Sequence, residues 1–117
     1  MNKRVIGSEY EKIAGNYLKM HGIKILEYNY RIRQGEIDII GLDEQCLVFF
    51  EVKYRKNNHL GNPLEAVTIK KQQQISKVAL FYINSHSYLL NKEIRFDVIG
   101  ILDQDVTWVK DAFYFSY

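Results

Sequence analysis

Two short segments, in which acids interrupt otherwise apolar strands, constrain this chain more than any other feature: Gly35-Glu36-Ile37-Asp38-Ile39-Ile40 and Phe49-Phe50-Glu51-Val52-Lys53-Tyr54-Arg55. Side chains two apart on a strand share a face. Glu51, Lys53 and Arg55 therefore line up together, and Phe50, Val52 and Tyr54 point the other way. A tight connection centred on Glu44-Gln45 sets a register with Asp38 opposite Glu51, Glu36 opposite Lys53, Ile39 opposite Phe50 and Ile37 opposite Val52. One face is then uniformly apolar, and a slip of one residue would mix acids with core residues. Two carboxylates placed directly opposite each other lie about 5 Å apart at Cβ and repel. Packing gains nothing from that arrangement, but a divalent cation does.

The remaining elements follow from local signals. Ser8-Glu9-Tyr10-Glu11 has the form of a capping box, so a first helix is expected to start at Ser8. Its apolar face runs through Tyr10, Ile13, Ala14, Tyr17, Leu18 and His21, and Gly22 ends it. Ile23 to Tyr30, Glu36 to Leu42 and Leu47 to Tyr54 read as three strands, with a turn at Gln34-Gly35 and a loop from Asn57 to Gly61. Asn62-Pro63-Leu64-Glu65 reads as a second capping box opening a helix to about Asn84, with Val67, Val78 and Phe81 on its apolar side. After a loop, Glu93 to Leu102 is a fourth strand, and Val106 to Val109 a last short one before an aromatic tail. The order α-β-β-β-α-β predicts a three-strand meander, then a parallel, right-handed crossover. The fold class is α/β, with a mixed central sheet flanked by helices.

With 117 residues the chain is expected to form a single domain, residues 1–117. One cysteine, Cys46, excludes an internal disulfide and a cysteine-built zinc site, so a reducing cytoplasm is the expected compartment. No apolar run approaches the roughly 18 residues of a membrane span, and no signal peptide is legible at the start. The net charge of +2 hides blocks: residues 1–35 are net +4, 36–52 net −5, 53–77 net +5 and the rest net −2. An acidic centre between basic shoulders suits a metal site set in a phosphate-binding surface.

Magnesium is usually held by one or two carboxylates, waters and a substrate phosphate. Asp38, Glu51 and the Val52 carbonyl supply such a set, and Lys53 beside them would hold or activate an attacking water. E-x-K by itself is commonplace on solvated strands. The combination with G-E-I-D-I-I, a tight hairpin and basic flanks is what carries weight.

These residues resemble the PD-(D/E)XK nuclease superfamily. More closely, the chain resembles the bacterial UPF0102 (YraN-like) family, itself similar to Holliday-junction resolvases. The likeness runs from Glu11-Lys12-Ile13-Ala14 and Tyr17-Leu18 through Asn29-Tyr30-Arg31, Gly35-Glu36-Ile37-Asp38 and Phe50-Glu51-Val52-Lys53-Tyr54-Arg55 to Arg95-Phe96-Asp97-Val98. It departs at Tyr10, where the family often has glycine. The resemblance implies a restriction-endonuclease-like α-β-β-β-α-β core and a Mg²⁺- or Mn²⁺-dependent endonuclease acting on branched or structured DNA. It also implies Asp38, Glu51, Lys53 and Glu11 as the catalytic set. Periodicity does not separate Glu9 from Glu11; the resemblance selects Glu11. The alternative class is a nucleic-acid-binding or protein-interaction module on the same fold that cleaves nothing. A homodimer fits cleavage of both strands at a symmetric junction.

Other candidates rest on charge alone. Arg31, Arg33 and Arg55 stand near strand ends, and Lys70, Gln74 and Lys77 share one helix face, where they would contact DNA phosphates; ordinary solvated charge is the alternative. Asp97, between Phe96 and Val98, reads as a buried structural carboxylate paired with Arg95 or a helix terminus. The three histidines and Cys46 show no metal or triad spacing.

Overall fold

The computed structural model describes residues 3–57, 61–63, 65 and 67–116, with side chains from residue 9 onward. Its elements are α1 (Lys3–Met20), β1 (Lys24–Ile32), β2 (Gly35–Asp43), β3 (Cys46–Arg55), α2 (Ile69–Ser85), a 3-10 turn (Ser87–Leu89), β4 (Glu93–Leu102) and β5 (Asp105–Phe113). The five strands form one sheet in the order β1-β2-β3-β4-β5. The β1-β2-β3 meander is antiparallel, β3 and β4 are parallel across the α2 connection, and β5 returns antiparallel. The sheet is thus mixed, as expected, with a helix on each face.

Each face has its own core. On the α2 side Ile37, Ile40, Phe49, Phe96 and Val98 pack against Ile75, Val78, Ala79 and Tyr82. On the α1 side Ile39, Val48, Phe50, Ile99 and Ile101 pack against Ala14 and Leu18. Strand β3, covered on both faces, reads accordingly as an unbroken apolar run from Leu47 to Phe50.

Helix starts depart from expectation. The first helix begins at Lys3, not at Ser8, so Ser8 is an interior helical position whose side chain lies outside the described residues. Its end is as read: Gly22 adopts φ 89°, and the Ile23 N–H returns to the Leu18 carbonyl at 3.0 Å. Ile13 is 44% exposed, because the buried stripe is centred on Ala14 and Leu18. Ahead of α2, half of the expected box at Asn62 is found: the Asn62 N–H donates to Glu65 Oε1 at 3.2 Å, while the Glu65 N–H goes to the Asn62 backbone carbonyl at 3.0 Å, not to its side chain. It closes a single turn and does not propagate. The β-branched run Val67-Thr68-Ile69 resists helix, Val67 is buried, and Thr68 (ψ 154°) caps afresh by accepting the Lys71 N–H. Phe81, read as core-facing, is half exposed. The last strand runs on to Phe113, and the loop segment Asn58–Leu60 lies outside the described residues.

The far end of the sheet is fixed by Asp97. It is fully buried and accepts from Arg95 Nε (2.9 Å) and Arg95 Nη2 (2.9 Å), from the Trp108 indole (2.9 Å) and from the Asp111 backbone N–H (2.9 Å). Arg95 also reaches Asp43 at 2.9 Å, and these bonds raise its pKa further. Asp97→Ala strands these donors in the interior and is expected to cost about 3–5 kcal/mol. Urea unfolding checks this against Arg31→Ala, which opens an exposed pair and should barely move the midpoint.

Candidate metal centre and nucleic-acid interface

The site lies where β2 and β3 part. Their ladder pairs Asp43 with Cys46 through to Ile39 with Phe50, the register read from the sequence, and then stops. Beyond it β2 stays paired to β1, through Ile37 with Tyr30 and Glu36 with Arg31. The Val52 N–H is met by the Asp38 carboxylate at 2.7 Å in place of a strand carbonyl. Ladder pairing of Asp38 with Glu51, of Glu36 with Lys53 and of Ile37 with Val52 is therefore not found. Ile37 moves to the α2-side core while Val52 stays on the α1 side. The cause is the parting itself, because a side chain entering the plane of the sheet breaks the two-residue alternation of β2.

The parting draws four acids together. Asp38 is hydrogen-bonded to Glu51, and Glu11, Glu36 and Asp38 each offer an oxygen within 4.8 Å of the others. Asp38 is thus the joint between Glu51 on the α2 side and Glu11 from α1. Glu9 is exposed and outside the cluster. Burial, then the charge of Asp38, pushes Glu11 up to about 7, against a hydrogen bond from Asn29 that favours its charged form. Burial, then the charge and hydrogen bond of Asp38, pushes Glu51 up to about 8. Burial also raises Asp38, against the Glu51 and Val52 bonds that lower it. Four clustered carboxyls resist joint ionisation even with Arg31 on Glu36 and Lys71 near Glu51, and they are hard oxygen donors, so the donor set fits Mg²⁺ or Mn²⁺.

Two lysines answer the acids from the α2 side. Lys53 shares a face with Glu51, but its Nζ donates to the Glu65 carbonyl at 3.2 Å. Lys71, which the sequence reading passed over, stands closer to being the counter-ion, with Nζ 3.9 Å from Glu51 Oε2. Its signal was present: Lys71, Ile75, Val78 and Tyr82 recur at helical spacing, so Lys71 continues the buried stripe. Glu36 was likewise unassigned, and it holds Arg31 at 2.7 Å.

Lys71 also joins the acids to a groove of about 530 Å³ lined by Lys70, Lys71, Gln74, Lys77, Gln34 and their neighbours. The groove closes on the β1–β2 turn through Gln74 Nε2, 3.1 Å from the Gln34 carbonyl. Gly35 permits that approach, since a Cβ there would lie 2.7 Å from Gln74 Cγ. Lys70, Gln74 and Lys77 therefore share one surface. Arg33 and Arg55 do not line it; Arg33 is exposed at the turn, and Arg55 Nη1 donates to the Tyr54 carbonyl at 2.8 Å. Tyr10, where the family likeness departs, stacks on Tyr54 with ring centroids 3.5 Å apart and ties α1 to β3.

A five-stranded mixed sheet with a helix on each face and acids at its parting strands defines a protein of the restriction-endonuclease-like fold class. The chain belongs to the uncharacterised protein family UPF0102, whose model matches residues 10–101. It is 44% identical over 111 residues to a UPF0102 protein of Photobacterium profundum, covering 92% of this chain and 89% of that one. A UPF0102 protein of Lachnoclostridium phytofermentans is 44% identical over 113 residues (97% and 96%), and one of Coxiella burnetii 41% over 113 (96% and 94%). Among the described residues no helix is long and apolar enough to cross a membrane.

The raised carboxyls have a consequence for stability. A carboxyl with a higher pKa folded than unfolded favours the native state while protonated. That contribution is whole below the ordinary glutamate value of 4.5 and is lost as pH climbs through about 7 and 8. Metal-free protein should therefore melt at a lower temperature at pH 8.5 than at pH 5.5, by about 5 °C or more. Scanning calorimetry should find the slope flattened by Glu51→Gln and by added Mg²⁺.

Proposed function

We propose that this protein is a metal-dependent endonuclease that hydrolyses phosphodiester bonds in branched or structured DNA, using Mg²⁺ or Mn²⁺, in the cytoplasm. The observation that carries the reading is the acid cluster at the parting of β2 and β3, set beside Lys71 and a lysine-lined groove. Asp38, with Glu51 on one side and Glu11 and Glu36 on the other, would hold the cation; the Val52 carbonyl is a further donor at the same strand position. The cation supplies positive charge to the phosphate and makes a bound water more acidic.

The protein's own groups do the rest. Lys70, Gln74 and Lys77 hold the DNA backbone along α2 and fix its path. Lys71, between groove and acids, meets the phosphate as its charge grows. Lys53, restrained by the Glu65 carbonyl, keeps its ammonium beside Glu51 and orients the attacking water. The Val52 N–H fixes the Asp38 carboxylate, so the acids are in place before substrate arrives. Cutting both strands of a junction would engage two copies of the chain.

The test is nicking of supercoiled plasmid and of synthetic four-way junctions with Mg²⁺ or Mn²⁺, with and without chelator. Wild-type protein should nick, chelator should abolish it, and Asp38→Asn should lower the rate by about two orders of magnitude or more. Lys53→Ala should lose cleavage to a similar degree while junction affinity in Ca²⁺ changes by no more than about three-fold, because orienting water matters at the chemical step. Lys70→Ala or Lys77→Ala should instead weaken binding and lower its salt slope by about 0.9 per lost phosphate contact. Junction binding with no nicking under either ion would make the protein a binding module instead.

A further inference from the structure

We propose that the groove between α1 and β1 is a second DNA subsite, which holds the nucleotide on the opposite side of the scissile phosphate from the α2 groove. The inference rests on the nuclease reading for the position of that phosphate, but not for the contacts themselves.

The groove measures about 370 Å³ and is lined by Glu11, Lys12, Asn16, Lys19, Tyr28 and Asn29. Glu11 belongs both to it and to the acid cluster, so the groove opens directly on the candidate metal centre. Lys12, Asn16 and Lys19 lie four and three residues apart and form one exposed helical stripe. Two ammonium groups and an amide so spaced match successive phosphate oxygens of a polynucleotide better than a single small anion.

An aromatic platform lies in the same groove. The Tyr28 ring rests on α1 at Gly15, where a Cβ would run into the Tyr28 hydroxyl and ring, so the bare helix backbone is what lets it lie there. Tyr28 remains 38% exposed, and Lys19 Nζ stands 6.0 Å from the ring centroid. A ring held by backbone, exposed and flanked by a cation is a stacking surface for a base, and such stacking is sequence-tolerant.

The wall of the groove is built against local preference. Asn29 has φ 53° within β1, a left-handed conformation that costs most residues energy and that asparagine tolerates better. Asn29 and Glu11 line the same groove, so this turn of backbone borders the acid cluster. The α2 groove lies on one face of the sheet and this groove on the other, and the acids stand at the parting between them. A strand crossing that margin would occupy both.

Photo-crosslinking tests the subsite without cleavage. Four-way junctions and single strands carrying 5-iodouracil are irradiated with the protein in Ca²⁺, and crosslinked peptides are mapped. A crosslink to Tyr28, kept in Tyr28→Phe and lost in Tyr28→Leu, is the expected result. The pair Lys12→Ala with Lys19→Ala, both at exposed helix positions, should lower the salt slope of binding by about 1.4 to 1.8 for two lost contacts. Crosslinks confined to residues 69–85, with the lysine pair binding like wild type, would overturn the subsite and leave the nuclease reading standing. Crosslinks at Tyr28 in a protein that never nicks would do the reverse. Absence of DNA binding altogether would overturn both.

Discussion

The contact on which the site depends is the hydrogen bond from the Val52 N–H to the Asp38 carboxylate. A sheet that zipped to the end of β2 would bury Ile37 beside Val52 and set the acids on one flat face. Instead a side chain takes the place of a backbone acceptor, β2 follows β1 away from β3, and the vacated margin fills with carboxylates. Main-chain pairing, ordinarily indifferent to side-chain identity, is here conditional on a carboxylate at position 38. The parting also brings Glu11 of α1 and Glu51 of β3, which lie on opposite faces, within reach of one residue.

Such a margin is costly, and its cost is offset away from it. The two cores on either side of β3 are apolar and rich in aromatic rings, with Phe49, Phe50, Phe96 and Tyr82 almost fully buried. At the other end of β2 and along β4, a second set of charges does the opposite of the first. Asp43 and Asp97 share Arg95, and Lys110 Nζ stands 4.0 Å from Asp43, so two acids meet two bases, their hydrogen bonds are largely filled and they close the sheet. One charge cluster is balanced and holds structure, while the other is unbalanced and needs something from outside.

Much of this was legible in the sequence. The hairpin register from Asp43–Cys46 to Ile39–Phe50, the alternation of β3, the Gly22 stop and a buried structural role for Asp97 follow from period, turn length and residue type. The departures have one kind of cause, in which a side chain or a tertiary contact overrides a local rule. Ile37 left its expected face because Asp38 entered the sheet, and the box at Asn62 stopped at one turn because Val67 is drawn into the core. Glu11 was open to a sharper reading. It precedes Ala14 and Leu18 by three and seven residues, so a stripe centred on those two small and apolar positions, without Ile13, would have selected it over Glu9. Lys71 was hidden by its type, since a lysine in phase with an apolar stripe is easily taken for a solvated end.

Asn29 shows what these arrangements mean for change in the chain. Glycine at that position would take up the left-handed backbone of β1 without strain. It would also remove the amide that favours the charged form of Glu11, leaving burial and the neighbouring acids unopposed. The substitution that eases the backbone therefore damages the carboxylate cluster. Variation at residue 29 is caught between two optima, and a sequence improved for folding alone would drift away from the one found here.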